Sequence, residues 1–419
     1  MFSPRLRVGL ILKCALMPTR SVNEVETLSS PADERRVMRL LRESPAILDL
    51  ISTETDFGLG LQARLRKVYP NELVRAALSL HELRHKAKGK FSRAAAMWFD
   101  RKGLEQSTSE AIARHKAQRF EGPVWDLCCG IGGDAIALAE RCDVTAVDLN
   151  TTTCLRAEWN AEAYGVAARL KTLDVDVTSV IEQIGASDLI HIDPDRRPGA
   201  GGRVSRVEDY EPGLPFLHGL RDHCRGGAIK VGPASNFGGK FEAVEIELIS
   251  LDGECKEATI WFGALAGTAP FRATALPSGE TIAGHPLEIS VPLAPLGRFI
   301  YDPDPAVVRS GLVDLVAHRH GLKRLDGAEE YLTSDTLVDS AFVTPFEVLA
   351  DLPNNERDYR NWLRKSDFGQ IEIKCRHIPI QADTVRRRLP LPGDQPGVLI
   401  FARCDGKARA ILGRRQPRG

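Results

Sequence analysis

At 419 residues the chain is too long for one ordinary core, and its length predicts two or three domains. A composition of 43% hydrophobic and 27% charged residues is that of a folded globular protein, and 56 basic against 56 acidic side chains give no argument for a nucleic-acid partner from overall charge. No apolar run reaches the roughly 18 residues of a membrane span, which excludes a helical membrane protein from the sequence side.

The N-terminal "MFSPRLRVGLILKCALMPTRS" superficially resembles a secretory signal, but Lys13 interrupts its apolar run and no small-residue cleavage pattern follows. Residues 1–30 are therefore expected to be poorly ordered. Nine cysteines (Cys14, Cys128, Cys129, Cys142, Cys154, Cys224, Cys255, Cys375 and Cys404) form no CxxC pair. They read as free thiols in a reducing compartment, so the chain is expected to be cytoplasmic. Without paired ligand spacing no metal is expected; His318 and His320 lack a third ligand and read as helix surface.

Residues 31–120 carry helical periodicity, in "RRVMRLLRESPAILDLI", "NELVRAALSLHELRHKAKGKFSRAAAMWF" and "SEAIARHKAQRF", and predict a helical N-terminal domain. Lys86, Lys88, Lys90 and Arg93 within it form a cationic cluster, either a solvated face or a phosphate-facing surface. In "LEQST", Ser107 or Thr108 reads as a helix N-cap with Glu110 in the first turn. Trp98, Phe99 and Gln106 stand where a segment could either pack or cover a ligand pocket.

From Val124 the pattern changes to short apolar runs alternating with helical segments, as in a parallel sheet of βαβ units. Strands are predicted near 124–128, 143–149, 168–173, 187–193 and 226–231. "AVEIELISL" and "KEATIWFGA", separated by Asp252, Gly253 and Glu254, predict an antiparallel hairpin closing a domain over 121–267. Pro- and Gly-rich residues 268–297 read as a linker with edge strands. Residues 298–419 read as a small α+β domain, and no internal repeat is visible.

"DLCCGIGGDAIALA", Asp126–Ala139, follows the first of these strands. Gly130, Gly132 and Ala135 formally satisfy the GxGxxA dinucleotide fingerprint, so a nicotinamide or flavin enzyme has to be weighed. Three features bear on the ligand when taken with the terminal hairpin, one of them, Asp148, being common to both ligand classes. Asp126 precedes the glycines, suited to orient the loop or meet an amino group. Asp148 ends the second strand, where a carboxylate accepts ribose hydroxyls. Asp193 and Pro194, in "DLIHIDPDRR", cap the fourth strand at the edge where such sheets bind ligands. The set fits S-adenosylmethionine better.

The span from Phe91 to Ala264 resembles a class I S-adenosylmethionine-dependent methyltransferase, with a loop similar to that of the trimethylguanosine synthase group. The chain from about residue 35 resembles a bacterial methyltransferase family with a C-terminal THUMP-like domain. The carrying residues are "MWFDRKGLEQST", "DLCCGIGGDAIALA", "DPDRR", "LDGECKEATIWFGAL", "YDPDPAVVRSGLV", "EEYLTSD" and "GQIEIKCR". This implies an α/β, Rossmann-like, seven-stranded methyltransferase sheet ending in an antiparallel hairpin, flanked by the helical domain and a THUMP-like domain at 298–419. It implies that Asp126, Gly130 and Gly132 hold the methionine portion of the cofactor, Asp148 its ribose, and Asp176 its adenine amino group, with Asp174 competing for that role; Cys128 and Leu149 belong to the same cofactor-binding set. Where the common loop has glycine this chain has Cys128; Cys128 and Cys129 read as packing residues rather than nucleophiles.

Amino-methyltransferases fix their target amine with an Asp or Asn, two prolines and an aromatic at a strand end. Asp193 and Pro194 match the start, and Asp195, Arg196 and Arg197 replace the rest. Asp193, Pro194, Arg196 and Arg197 are thus the candidate catalytic residues, also with Asp193 beside the cofactor; the two arginines suit a phosphate or carboxylate on the substrate, or else a salt-bridged loop end. Cys224 precedes the fifth strand at the wrong edge for a nucleophile, and His191 in "LIHID" reads as a sheet histidine.

The segment Pro353–Gly419 holds 15 Lys and Arg against 7 Asp and Glu, among them Arg386, Arg387, Arg388, Arg403, Lys407, Arg409, Arg414 and Arg415. A basic face here would suit an RNA-positioning module, with tRNA implied by the THUMP resemblance, and Trp362 and Phe368 as base-stacking or core residues. The leading reading is methylation of a base nitrogen in RNA. A methyltransferase for protein or small molecules, a non-catalytic RNA binder and a dehydrogenase are the alternatives.

Overall fold

Ser30 opens the first helix, α1 (Pro31–Glu43), by accepting the Asp33 N–H on its hydroxyl at 3.2 Å, while Pro31 supplies a pre-set first turn. The computed structural model describes residues 30–54, 59–196 and 206–417. After α1, whose Val37, Met38 and Leu41 are buried, come α2 (Pro45–Ser52), α3 (Leu59–Leu65) and α4 (Asn71–Ala87). The chain divides into compact units within α4, at Ala76/Ala77, so that α5 (Arg101–Gln106) and α6 (Glu110–Ala117) belong with everything that follows. Ser109, not Ser107 or Thr108, is the N-cap residue of α6, without a side-chain cap bond. The Thr108 hydroxyl is drawn instead to the buried carboxylate of Asp134, and Glu110 to Ser92 and Tyr164.

In the second unit β1 (Val124–Leu127), β2 (Val144–Val147), β3 (Leu170–Leu173) and β4 (Leu189–Ile192) alternate with α7 (Gly133–Ala139) and α8 (Thr151–Tyr164). A short antiparallel pair, β5 (Asp195–Arg196) and β6 (Tyr210–Glu211), precedes α9 (Leu214–His223) and β7 (Gly226–Val231). The hairpin β8 (Glu245–Leu251) and β9 (Glu254–Gly263) follows; Asp252 and Gly253 turn it with φ of +53° and +77°, so Glu254 already belongs to the strand. Residues 268–297, expected as a linker with edge strands, supply β10 (Phe271–Leu276) and β11 (Glu280–Gly284). The sheet order is β11-β10-β8-β9-β7-β4-β1-β2-β3, parallel from β3 to β7 and antiparallel at β9. The expected seven strands are all present, and β10 and β11 widen the sheet to nine. β1 lies between β2 and β4, which makes the C-terminal ends of these three strands the switch point where such sheets bind ligands.

The C-terminal sheet is built from β12 (Phe299–Pro303), β13 (Lys323–Arg324), β14 (Leu332–Ser334), β15 (Val343–Pro353), β16 (Phe368–Cys375), β17 (Gln395–Cys404) and β18 (Lys407–Arg415), in the order β13-β14-β12-β15-β18-β17-β16. Helices α10 (Pro305–Ser310), α11 (Val313–His320), α12 (Glu356–Leu363) and α13 (Ala382–Arg386) complete it. Val307 and Leu312 share one hydrophobic core with Ile246, Leu248 and Ala273 of the larger sheet. Cutting the chain near residue 297 would therefore expose apolar core, so truncation is not a clean test of this region's role.

On the larger sheet, α6 and the turn after it lay His115 and Arg119 over β8, whose Glu245 and Glu247 are wholly buried. Glu247 receives hydrogen bonds from Thr274 at 2.6 Å and Trp261 at 2.8 Å and contacts His115 Nε2 at 2.7 Å. Burial alone would raise its carboxyl, but His115, Arg119 and Thr274 outweigh that and hold it down at about 2. A carboxylate depressed in the folded state stabilises above its unfolded pKa and loses that contribution as pH falls. Stability is thus expected to decline between about pH 4.5 and 2, with about 3 kcal/mol from this residue. Urea unfolding of Glu247→Gln should show a flatter acid limb; equal slopes in both proteins would contradict it. No helix among the described residues is long and apolar enough to cross a membrane.

Candidate active site

Beyond β1 the backbone enters left-handed conformations, with φ of +59° at Cys128, +56° at Gly130 and +89° at Gly132. That explains why glycine commonly stands at the place of Cys128, since a side chain there is strained. A Cβ on Gly132 would meet Ala157 of α8 at 3.3 Å, and one on Gly133 the Thr108 carbonyl at 3.1 Å, whereas one on Gly130 would meet nothing within 4 Å. Two glycines thus permit close packing and the third leaves the loop open on its ligand side. The fully buried Asn160 of α8 fixes the loop, donating to the Ile131 and Trp98 carbonyls and accepting the Trp98 N–H at 2.7 Å. Trp98 and Phe99 are buried packing residues, while Gln106 is exposed and reaches Asp195. Burial pushes the Cys128 thiol up, which suits the expected packing role.

Asp148, just beyond β2, accepts the Gly130 N–H on one oxygen at 3.0 Å and the Asn150 N–H on the other at 2.9 Å. Each oxygen keeps acceptor capacity, the pattern needed to take two adjacent hydroxyls. Leu149, 72% exposed beside it, offers an apolar face. Asp176 accepts both the N–H and the hydroxyl of Thr178 on one oxygen, capping the 3-10 turn Val177–Gln183; Asp174 is exposed nearby. Asp148→Ala is expected to weaken S-adenosylmethionine binding about 100-fold by loss of two charge-assisted hydrogen bonds, read by calorimetric titration. Binding within threefold of the native protein would remove Asp148 from the pocket.

Asp126 departs from its expected place. It is 1% exposed and lies opposite His191 in the β1–β4 register, with His191 Nδ1 2.6 Å from its Oδ1. Its position in the strand turns it onto the sheet face covered by α6 rather than into the loop. The cation on that face is Lys116, 1% exposed, whose Nζ lies 2.6 Å from Glu257, 2.9 Å from Asp134 and 3.3 Å from His191 Nε2. Burial works against the Lys116 charge, but Asp134 and Glu257 outweigh it and raise its pKa. His191 is likewise raised, against burial, by Asp134 and Asp126. It is the sheet histidine expected from "LIHID".

Asp193 follows β4, its N–H bound to the Leu127 carbonyl at 3.2 Å and its Oδ2 2.6 Å from Lys230 Nζ of β7. Burial lowers Lys230, and Asp193, Glu257 and Asp134 more than restore its charge. Pro194 is buried; Asp195 is met by Lys102 at 3.0 Å and Gln106 at 3.4 Å, both from α5. Arg196 pairs through its backbone with Tyr210, and Arg197 lies outside the described residues. Lys90, expected on a solvated or phosphate-facing surface, is instead largely buried and donates to the Leu104 carbonyl at 2.6 Å. Burial, then Lys230 and Lys256, bring it down to about 8. Reading the sequence missed Lys230 and Lys116; Lys230 had a signal, a lone cation within the apolar run "GGAIKVG", whereas Lys116 stands beside Arg114 and His115 in "AIARHKAQ" and nothing there marks it out. Cys224 sits before β7, at the edge away from Asp193, with burial raising its thiol to about 11.

Residues 122–194 match the family model for RNA cap guanine-N2 methyltransferases, and residues 343–415 match the THUMP domain-like model. A protein of Mycobacterium tuberculosis described as an uncharacterized S-adenosylmethionine-dependent methyltransferase is 37% identical over 337 residues, in both strain CDC 1551 / Oshkosh and strain ATCC 25618 / H37Rv. The match covers 77% of this chain and 90% of the relative. The crystal structure of a candidate methyltransferase from Porphyromonas gingivalis W83 shares the fold, with a TM-score of 0.75 at 22% identity over 92% of this chain and 99% of that one. The chain belongs to the S-adenosylmethionine-dependent methyltransferases. Its cofactor is S-adenosylmethionine, and the open side of Gly130 with the free acceptor capacity of Asp148 fits that group.

Proposed function

We propose that this methyltransferase acts on RNA, with tRNA the favoured substrate and a base nitrogen the acceptor, in the cytoplasm. In this reading residues 121–267 form the catalytic domain and 298–419 the THUMP-like domain. Cys128, Gly130 and Gly132 contribute loop backbone to the cofactor pocket, Asp148 holds the ribose, and Leu149 and Asp176 border the adenine. The observation that carries the reading is the Asp193 carboxylate at the end of β4, one oxygen held by Lys230 and the other without a hydrogen-bond partner among the described residues. The bound cofactor supplies an electrophilic methyl group. With it bound, Asp193 Oδ1 would accept an N–H of the acceptor amine, orient its lone pair and draw off the proton as the N–C bond forms, the methyl–sulfur bond breaks and S-adenosylhomocysteine leaves. The buried Pro194 fixes the turn, and Arg196 and Arg197 are assigned to a substrate phosphate.

Support for RNA comes from the pairing of the two matched families in one chain. An open groove lined by Leu352, Pro353, Asp358, Asn361, Trp362, Lys365 and Ser366 offers a half-buried indole and a cation, suited to a stacked nucleotide. Phe368 is buried in the core and drops out of that role.

One observation favours a protein or small-molecule substrate instead. Much of the basic tail is already paired: Arg386 with Asp383, Arg388 with Glu356, Arg409 with Asp351, Arg414 with Asp367 and Arg415 with Glu372. Arg387, Arg403 and Lys407 remain without an acidic partner among the described residues. The methylated nucleosides of tRNA from a strain lacking the gene decide between the two. Loss of one nucleoside, restored by the native gene, is expected; an unchanged profile would favour the second reading.

A further inference from the structure

Two of the segments marking the family resemblance, "EEYLTSD" and "GQIEIKCR", lie in the C-terminal sheet, outside the site proposed for methyl transfer. The fold brings them together. Glu329 and Glu330 lie just before β14, and His377 lies two residues beyond β16. One donor atom from each of the three lies within 4.8 Å of the other two. His377 Nε2 is 2.6 Å from Glu330 Oε2. Glu329 is 1% exposed; its Oε2 accepts the Arg403 N–H at 3.0 Å, while its Oε1 is fully buried and has no hydrogen-bond partner. A buried carboxylate oxygen left unpaired is costly, and the cost falls only if a proton or a cation meets it.

Arg376, a cation close enough to act on Glu329, is not available for that task. Arg376 is committed to Asp302 and the Pro303 carbonyl and lies over the Tyr331 ring at 5.5 Å. Two carboxylates therefore converge beside an imidazole, with one buried carboxylate oxygen unpartnered among the described residues.

We propose that Glu329, Glu330 and His377 bind a first-row divalent metal ion, with zinc as the reference ion. One imidazole and two carboxylates form a mixed nitrogen–oxygen donor set that favours zinc over magnesium or calcium, whose sites are built from oxygen alone. Bonds of about 2.1 Å place tetrahedral ligand atoms about 3.4 Å apart, within the spread of these donors. The side chains of Glu330 and His377 are 24% and 47% exposed, which gives the ion an entry path and a coordination position for water. The site's place in the sheet states its consequence. β13 and β14 stand at one edge of the seven-stranded order and β16 at the other, so the ion ties the two edges together. Cysteine and histidine spacing could not reveal it, because the glutamates and the histidine are far apart in sequence and two of the donors are oxygen.

The test titrates full-length protein, stripped with chelator and dialysed, with zinc chloride and separately with magnesium chloride. One zinc per chain should bind, with little heat from magnesium and with Tm rising by about 4 °C at a hundredfold excess over Kd. Glu329→Gln and His377→Gln should each weaken zinc binding at least tenfold while retaining the native circular dichroism and S-adenosylmethionine affinity. His377 is half exposed, so its variant remains informative if the buried Glu329→Gln fails to fold. Absence of stoichiometric zinc binding would overturn the site, as would zinc affinity unchanged by His377→Gln.

Discussion

Asp193→Ala is expected to bind S-adenosylmethionine within about twofold of the native protein and to lower kcat about 1000-fold. The separation follows from the geometry. The loop contacts assigned to the cofactor run through Gly130 and Asp148, while Asp193 follows β4 with one carboxylate oxygen on Lys230 and the other without a hydrogen-bond partner among the described residues. Removing it deletes the group proposed to orient the amine and take its proton, and leaves the contacts assigned to the cofactor in place. It also leaves Lys230 facing Glu257 and Asp134 without its closest partner, so a modest loss of stability should accompany the loss of rate. Calorimetry for binding and single-turnover transfer for rate separate the two. Near-native transfer by the variant would place the acceptor elsewhere along the switch point.

Lys116→Met is expected to destabilise the protein by about 3–5 kcal/mol. Its ammonium is the shared partner of Asp134 and Glu257 beneath the glycine loop, and all three side chains are nearly or wholly buried. Methionine fills the same volume but strands two carboxylates in a medium that cannot solvate them. The double variant Lys116→Met with Glu257→Leu should recover part of the loss, because one stranded charge goes with the lysine. Urea unfolding measures both; a single-variant loss under about 1 kcal/mol would show that water or rearrangement already serves the carboxylates.

The strands and the switch point were legible because apolar runs such as "VTAV" and "LIHI" alternate with helical segments, and because "DG" between "AVEIELISL" and "KEATIWFGA" has one common use in a turn. Asp148 and Asp193 were legible by position, each following a strand at the ligand edge. Side-chain direction was not. Asp126 sits in the third place of a four-residue strand, and only the helix laid across it decides which face it joins. Lys116, Lys230 and Asn160 were passed over for the same reason, since their partners come from elements distant in sequence. Edge strands were expected within 268–297, but their bounds were not legible, because proline and glycine around them outweigh short segments such as "FRATAL" and "ETIAG". The tail's cations looked like a continuous basic face because composition counts charges and not the acids across the sheet.

The measurement that bears most directly on the central claim is transfer of labelled methyl from S-adenosylmethionine to RNA and, separately, to protein, both extracted from a strain lacking the gene. With native enzyme, label is expected in RNA of tRNA size and not in protein, and Asp193→Ala should leave both unlabelled. Label confined to protein, or RNA labelled equally by the variant, would contradict the account.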